Sequence, residues 1–253
     1  MFESGASSVV LRCRWPDGTP AVLKLSPDRT LLTEQRGMLS VFAPSGRVPA
    51  VLAVDAEAGA MVLEEVRPGT EAGDLPAAKL PRQWGELLAA LHAVEPPAHW
   101  PRDLRGRCDE AFLRIGRRLA EPAIRARIGP GTWQRAIRRC DALLDTQAEV
   151  VLLHGDLHLG NVLDGGPSRG LVAIDPKACV GDPCFDAVDF VLEGAGHEGV
   201  ETRCHRVATA CGLDGDRLFA WSRVIAPMFA IAHLSNGGPE PVIGELLAMS
   251  SNT

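Results

Sequence analysis

Eight consecutive residues, His154-Gly155-Asp156-Leu157-His158-Leu159-Gly160-Asn161, hold the groups that moving a phosphoryl group onto a hydroxyl would need. One carboxylate, Asp156, can face the acceptor hydroxyl, orient it and take its proton. Asn161, five residues later, offers a neutral oxygen that can turn back and hold Mg²⁺ on the phosphates. A second carboxylate must reach that metal from another strand, and Asp175, after Leu171-Val172-Ala173-Ile174, is placed for it. Mg²⁺ prefers oxygen ligands and keeps several waters, so one Asn, one Asp and the phosphates suffice. The competing reading of Asp156 and Asp175 is helix or turn capping. For His154 and His158 it is that they hold the loop backbone by hydrogen bonds.

The elements that must position these groups are legible from their hydrophobic periods. Residues 150–153 read as a short apolar strand. Residues 161–163 and 170–175 read as a small hairpin across a Gly/Pro turn, which brings Asn161 and Asp175 to one end. Far upstream, residues 8–15 and 21–25 form another hairpin around Pro16-Asp17-Gly18. Leu31, Leu32, Gln35, Met38, Leu39 and Phe42 recur at helical spacing, predicting a helix over residues 30–42 that carries Glu34. Residues 49–54 and 60–63 are two further strands. After Arg67-Pro68-Gly69 the texture turns helical: residues 81–94, a helix marked by Cys108, Phe112, Ile115 and Leu119, and another marked by Trp133, Ile137, Cys140 and Leu144. From Asp186 onward the chain is again helical, with a Gly/Pro loop at residues 237–241. The predicted organisation is α+β in two lobes, a small mixed one over residues 1–65 and a mainly helical one over residues 66–253.

Composition narrows the function class. With 253 residues, 46% hydrophobic and 23% charged, the chain is an ordinary globular one. A net charge of −6 disfavours nucleic acid, which needs a basic surface. The start, Met1-Phe2-Glu3-Ser4-Gly5, lacks the pattern of a signal peptide. Residues 224–234, the most apolar stretch, are short and interrupted by Pro227, so no membrane span is expected and the expected location is the cytoplasm. Seven cysteines, an odd number with no C-x-x-C pair, point to reduced structural thiols rather than a disulfide framework or zinc site. Charge is distributed unevenly. Ten arginines lie between Arg105 and Arg139, while ten acidic residues stand against four arginines from Asp182 onward.

The run His154-x-Asp156-x-x-x-x-Asn161 has the spacing of a kinase catalytic loop. With Ala173-Ile174-Asp175-Pro176-Lys177, Val180-Gly181-Asp182-Pro183 and Phe185-Asp186, the chain resembles the aminoglycoside phosphotransferase family, a branch of the protein-kinase-like fold. It most resembles the streptomycin 6-phosphotransferase and hydroxyurea phosphotransferase branch, from about Gly18 to the C-terminal helices. The resemblance implies ATP, with GTP as the alternative, together with Mg²⁺. It also implies that Lys24 contacts the α/β-phosphates, that Glu34 pairs with Lys24, and that the Glu64 carbonyl and Val66 N–H meet the base. The phosphate loop G-x-G-x-x-G is absent. Only Ser7 and Ser8 stand ready to donate to phosphate, and the small lobe is expected to be short of a strand.

The acidic C-terminal part suggests a cationic acceptor. Asp189, Glu193, Glu198 and Glu201 are the candidate contacts and streptomycin the first choice, with hydroxyurea or another small molecule as the alternative. Asp186 is set aside as a group that caps or ties its helix. Two other classes compete: a metal-dependent hydrolase built on His154, Asp156 and His158, and a non-catalytic nucleotide-binding protein of the same fold. Either a monomer or a dimer is compatible with the sequence.

Overall fold

The computed structural model describes residues 8–194, 196 and 198–251. Strands β1 (Val9–Arg14) and β2 (Pro20–Leu25) pair antiparallel, Val9 opposite Leu25 and Arg14 opposite Pro20. Gly18 turns the chain between them at a φ of 89°, a value that glycine adopts without steric cost. Helix α1 (Arg29–Phe42) starts where the Asp28 carboxylate accepts from Leu31 N–H, and it buries Leu32, Gln35, Met38, Leu39 and Phe42. Strands β3 (Val51–Asp55) and β4 (Ala60–Glu64) complete a four-stranded antiparallel sheet in the order β1-β2-β4-β3.

Helices then dominate, as the loss of strand texture after residue 66 predicts. They are α2 (Leu80–His92), α3 (Leu104–Gly116), the single turn α4 (Pro122–Arg125) and α5 (Pro130–Asp145). Two short two-stranded sheets follow. β5 (Val151–Leu153) pairs with a strand farther along the chain, while β6 (Val162–Asp164) and β7 (Leu171–Ala173) form the expected hairpin, Val162 opposite Ala173. The partner of β5 is β8 (Cys179–Gly181), which the sequence reading did not separate from the motif containing it. The chain ends in α6 (Phe185–Leu192), α7 (Val200–Cys211), α8 (Gly215–Ser235) and α9 (Glu240–Ser251). This is the α+β, sheet-then-helix architecture expected.

One expectation fails. Pro227 does not interrupt the apolar stretch, because α8 runs straight through it. Proline removes an N–H and crowds the preceding turn. Here that cost is offset by packing against α5, α6, α7 and α9, which buries Leu218, Trp221, Val224, Ile225 and Ile231. By length and composition α8 could cross a membrane, yet 56% of its apolar window is buried inside the protein, as in a core helix. All seven cysteines are unpaired. Burial pushes the Cys179 and Cys184 thiols up to about 12, which suits the structural reading of both.

Candidate active site

The loop after β5 is built against a buried carboxylate. Asp186, in the first turn of α6, accepts from His154 N–H at 2.7 Å and Gly155 N–H at 2.8 Å, and its Oδ2 lies 3.1 Å from His92 Nε2. Burial pushes the Asp186 carboxyl up, but His92, His154 and the Gly155 N–H outweigh it and hold the group below the ordinary range. Asp186 thus does more than tie its own helix: it sets the backbone that precedes Asp156. The helix itself is fixed by Phe190 stacked on Trp84 of α2 at 4.4 Å and by Phe185 edge-on to Trp221 of α8. Asp182 anchors the approach to it, accepting from Trp221 Nε1 at 2.7 Å and pairing with Arg217. Gly155 is needed where the loop crosses the segment after Asp175. Its φ is 77°, and a Cβ there would run into the Lys177 carbonyl oxygen.

Asp156 is held at four points. Arg107 of α3 donates to Oδ1 at 3.0 Å, Lys177 Nζ reaches Oδ2 at 2.8 Å, and Asn161 Nδ2 donates to the backbone oxygen at 2.9 Å and, more loosely, to Oδ2 at 3.4 Å. Burial raises this carboxyl, but Lys177 and Arg107 prevail and keep it below the ordinary range, so it is an anion at neutral pH. Neither cation was singled out for this site from the sequence. Lys177 sits inside the quoted Asp175-Pro176-Lys177 motif, but nothing in the sequence points to Arg107.

Asp175 meets the sheet. Its Oδ1 accepts from Lys24 Nζ at 2.7 Å and from Gln35 Nε2 at 2.8 Å. Lys24 is buried, not a solvated strand lysine. Among the described residues Asp175 is the one non-glycine with a positive φ, 56°, a region aspartate tolerates better than most. Glu34 does not pair with Lys24. It faces outward and binds Arg102 at 2.6 Å, while Gln35, on the inward stripe of α1, shares the Asp175 acceptor with Lys24. The Glu64 carboxylate binds Ala50 N–H and Arg169, and its backbone lies at the end of β4. Val66 is buried just beyond. Ser8 is half-buried immediately before β1, and Ser7 lies outside the described residues.

The four acceptor candidates differ in their surroundings. Glu193 accepts from Leu159 N–H in the loop after β5 at 2.8 Å, and burial pushes its carboxyl up to about 7. Burial, with Glu193 and Asp156 as like charges, drives Asp189 well above the usual carboxylate range. Glu198 is bound by Arg203 and Arg206 of α7. Glu201 is exposed in the first turn of α7. Summed acidity along the sequence therefore overstates the negative charge that a ligand would meet.

The two loop histidines serve the backbone. Buried His154 sets Nε2 3.0 Å from the Ile174 carbonyl, and burial holds its pKa down. His158 Nδ1 accepts from Gly160 N–H at 3.2 Å. These contacts argue against a His-Asp-His metal site. A Mg²⁺ ion is a better fit. Lys24 and Gln35 engage only one Asp175 oxygen, and Asn161 spends its amide nitrogen on Asp156, so a carboxylate oxygen and an amide oxygen remain as hard donors. Among the described residues no group of three or more His, Cys, Asp or Glu could hold a metal, so phosphate and water would fill the remaining positions.

Residues 2–237 match the family described as aminoglycoside/hydroxyurea antibiotic resistance kinase. The chain belongs to that family. It is 32% identical over 226 residues to a hydroxyurea phosphotransferase of Kitasatospora aureofaciens, covering 86% of this chain and 63% of that protein, so it spans less than two thirds of that relative. It is also 32% identical over 238 residues to a streptomycin 6-kinase of Streptomyces glaucescens, covering 87% of this chain and 72% of that one. Among solved structures, aminoglycoside phosphotransferase APH(3'')-Id of Streptomyces rimosus, in complex with ADP and streptomycin, superposes with a TM-score of 0.65 at 22% identity, covering 90% of this chain and 93% of that one. The choline kinase LicA of Streptococcus pneumoniae gives 0.68 at 13% identity, covering 96% and 89%. At these identities the family's kinase-like fold is what the superpositions share.

Proposed function

We propose that this chain is a phosphotransferase that moves the γ-phosphoryl group of ATP to a hydroxyl of a small polar acceptor, with Mg²⁺ as its metal. The observation that carries the reading is the 2.7 Å contact between Lys24 and Asp175, residues 151 positions apart, which joins the sheet lysine to the hairpin beside Asp156 and Asn161. Lys24 supplies a fixed positive charge for the α/β-phosphates. Asn161 and Asp175 would hold Mg²⁺, which when bound neutralises charge on the phosphates. Asp156 orients the acceptor hydroxyl and receives its proton. A carboxylate held below the ordinary range is a weak base, which suits a loose transition state in which positioning matters most.

The base of the nucleotide would meet the Glu64 carbonyl and the Val66 N–H, which has no hydrogen-bond partner among the described residues. The lobes would hinge there, residues 1–65 against 66–253. The reading takes ATP before GTP and places the reaction in the cytoplasm, where ATP and Mg²⁺ are available. For the acceptor, streptomycin follows from one relative and hydroxyurea from the other. The raised Asp189 and Glu193 and the ion-paired Glu198 favour the less charged of the two, hydroxyurea. The test is nucleotide consumption with ATP and GTP against streptomycin, other aminoglycosides and hydroxyurea. Acceptor-dependent ADP or GDP formation supports the reading; a protein that binds nucleotide but consumes none with any acceptor defeats it, leaving at most a nucleotide-binding module.

A further inference from the structure

Both oxygens of Asp156 are occupied by cations, and the two cations are held differently. Arg107 donates to Oδ1 through Nη2 and to the Gly155 carbonyl through Nε, both at 3.0 Å, on a side chain only 16% exposed. The Lys177 ammonium reaches Oδ2 at 2.8 Å from a side chain 47% exposed. An acceptor hydroxyl that donates to Asp156 needs one of these oxygens. A guanidinium fixed at two points in an enclosed site keeps its place, whereas an ammonium on a flexible four-carbon stem gives way. The Lys177 backbone stays put, because its N–H donates to the His154 carbonyl at 2.9 Å. Asp175 lies two residues before it. A displaced ammonium therefore stays tethered beside Asp156, two residues along the chain from the carboxylate assigned to the metal.

We propose that Lys177 is a catalytic residue, which leaves Asp156 when the acceptor hydroxyl binds and pairs with an oxygen of the phosphoryl group in flight. The assignment rests on the phosphotransfer reading. In that step the bond from the γ-phosphorus to the bridging oxygen breaks, and its electron pair stays on ADP. The acceptor oxygen forms the new bond to phosphorus and its proton passes to Asp156. Lys177 keeps its proton throughout and contributes charge alone, made stronger toward the transition state than toward bound substrates.

Calorimetry separates these terms, using Mg²⁺–ADP alone and Mg²⁺–ADP with tetrafluoroaluminate, a mimic of the phosphoryl group in flight, each in the presence of the acceptor found in the screen. Lys177→Met should bind Mg²⁺–ADP within about twofold of wild type but lose about 10²-fold of the extra affinity that the fluoride complex gives, the scale of removing one preorganised donor. Lys177→Arg should recover most of that loss, and in turnover Lys177→Met should lower kcat while leaving both KM values nearly unchanged. If Lys177→Met tightens with the fluoride complex as wild type does, or if wild type itself does not tighten, Lys177 is only an ion-pair partner of Asp156. A wild-type protein that binds no Mg²⁺–ADP overturns the phosphotransfer reading itself, and this assignment with it.

Discussion

Asp186→Asn keeps the side-chain shape and removes the charge on which the loop over residues 154–161 is built. Oδ2 accepts from His154 N–H and sits beside His92 Nε2, while Oδ1 accepts from Gly155 N–H, so the loop uses both oxygens. An amide has one oxygen, and its NH₂ must then face one of the two buried N–H groups, donor against donor. Losing a hydrogen bond to a charged acceptor costs about 1.5–3 kcal/mol, and leaving a buried donor unpaired costs about 1–3 kcal/mol. The expected destabilisation at neutral pH is about 3–5 kcal/mol on those figures. Against a total stability of about 5–15 kcal/mol, enough folded protein should remain for kinetics. Because these bonds fix the backbone ahead of Asp156, kcat should also fall about 10²-fold, the scale of a misplacement near 1 Å. The sign of the pH dependence follows from a folded pKa held below the unfolded one. The contribution is fully present above the unfolded carboxylate pKa and is lost as pH falls through the folded value, so wild-type and variant stabilities should converge in acid. Urea midpoints by tryptophan fluorescence across pH, with kcat for the acceptor found in the screen, test this. A variant with the wild-type midpoint, or a gap that persists in strong acid, refutes the account of how the loop is held.

Asp156→Asn should lower kcat by about 10²–10⁴-fold while Mg²⁺–nucleotide binding stays nearly unchanged, since the metal ligands remain; wild-type turnover would remove Asp156 as the hydroxyl's partner. Asp175→Ala should abolish Mg²⁺-dependent nucleotide binding in calorimetry and leave Lys24 and Gln35 without their shared acceptor, whereas unchanged affinity would place the metal elsewhere. Glu193, at about 7 in the fold against 4.5 as a free side chain, keeps a proton that the unfolded chain gives up between those values. Its contribution to stability should therefore decline as pH rises through that window, and Glu193→Gln should flatten the decline in urea midpoints; an identical slope in both proteins would contradict the burial that raises it.

Short-range spacing was enough to place Asn161 and Asp175 at one end of a hairpin. Residues His154 to Asn161 and Asp175 lie on one strand, loop and hairpin, so the pattern of apolar runs and turn residues already brings Asn161 and Asp175 to one end. Helix α1 was legible in the same way, and its inward stripe contained the signal that was misread. Gln35 falls among the buried positions Leu32, Met38, Leu39 and Phe42, and Glu34, one residue and about 100° around the helix, does not. The partners of Asp156 were decided by tertiary structure. Arg107 arrives from a helix 49 residues earlier, and nothing in its neighbourhood of arginines distinguishes it. Asp186 was readable as a tie but not as the support of the loop that carries Asp156, because its partners come from α2 and from the strand end before Asp156. The acceptor charge shows the limit most clearly. The sequence counts Asp189, Glu193, Glu198 and Glu201 as four equal negative charges, but the fold raises two by burial, pairs one with arginines and leaves one exposed. A formal charge is a property of the side chain. Whether it is expressed depends on desolvation and on neighbours brought close by distant parts of the chain, and only the folded molecule fixes those.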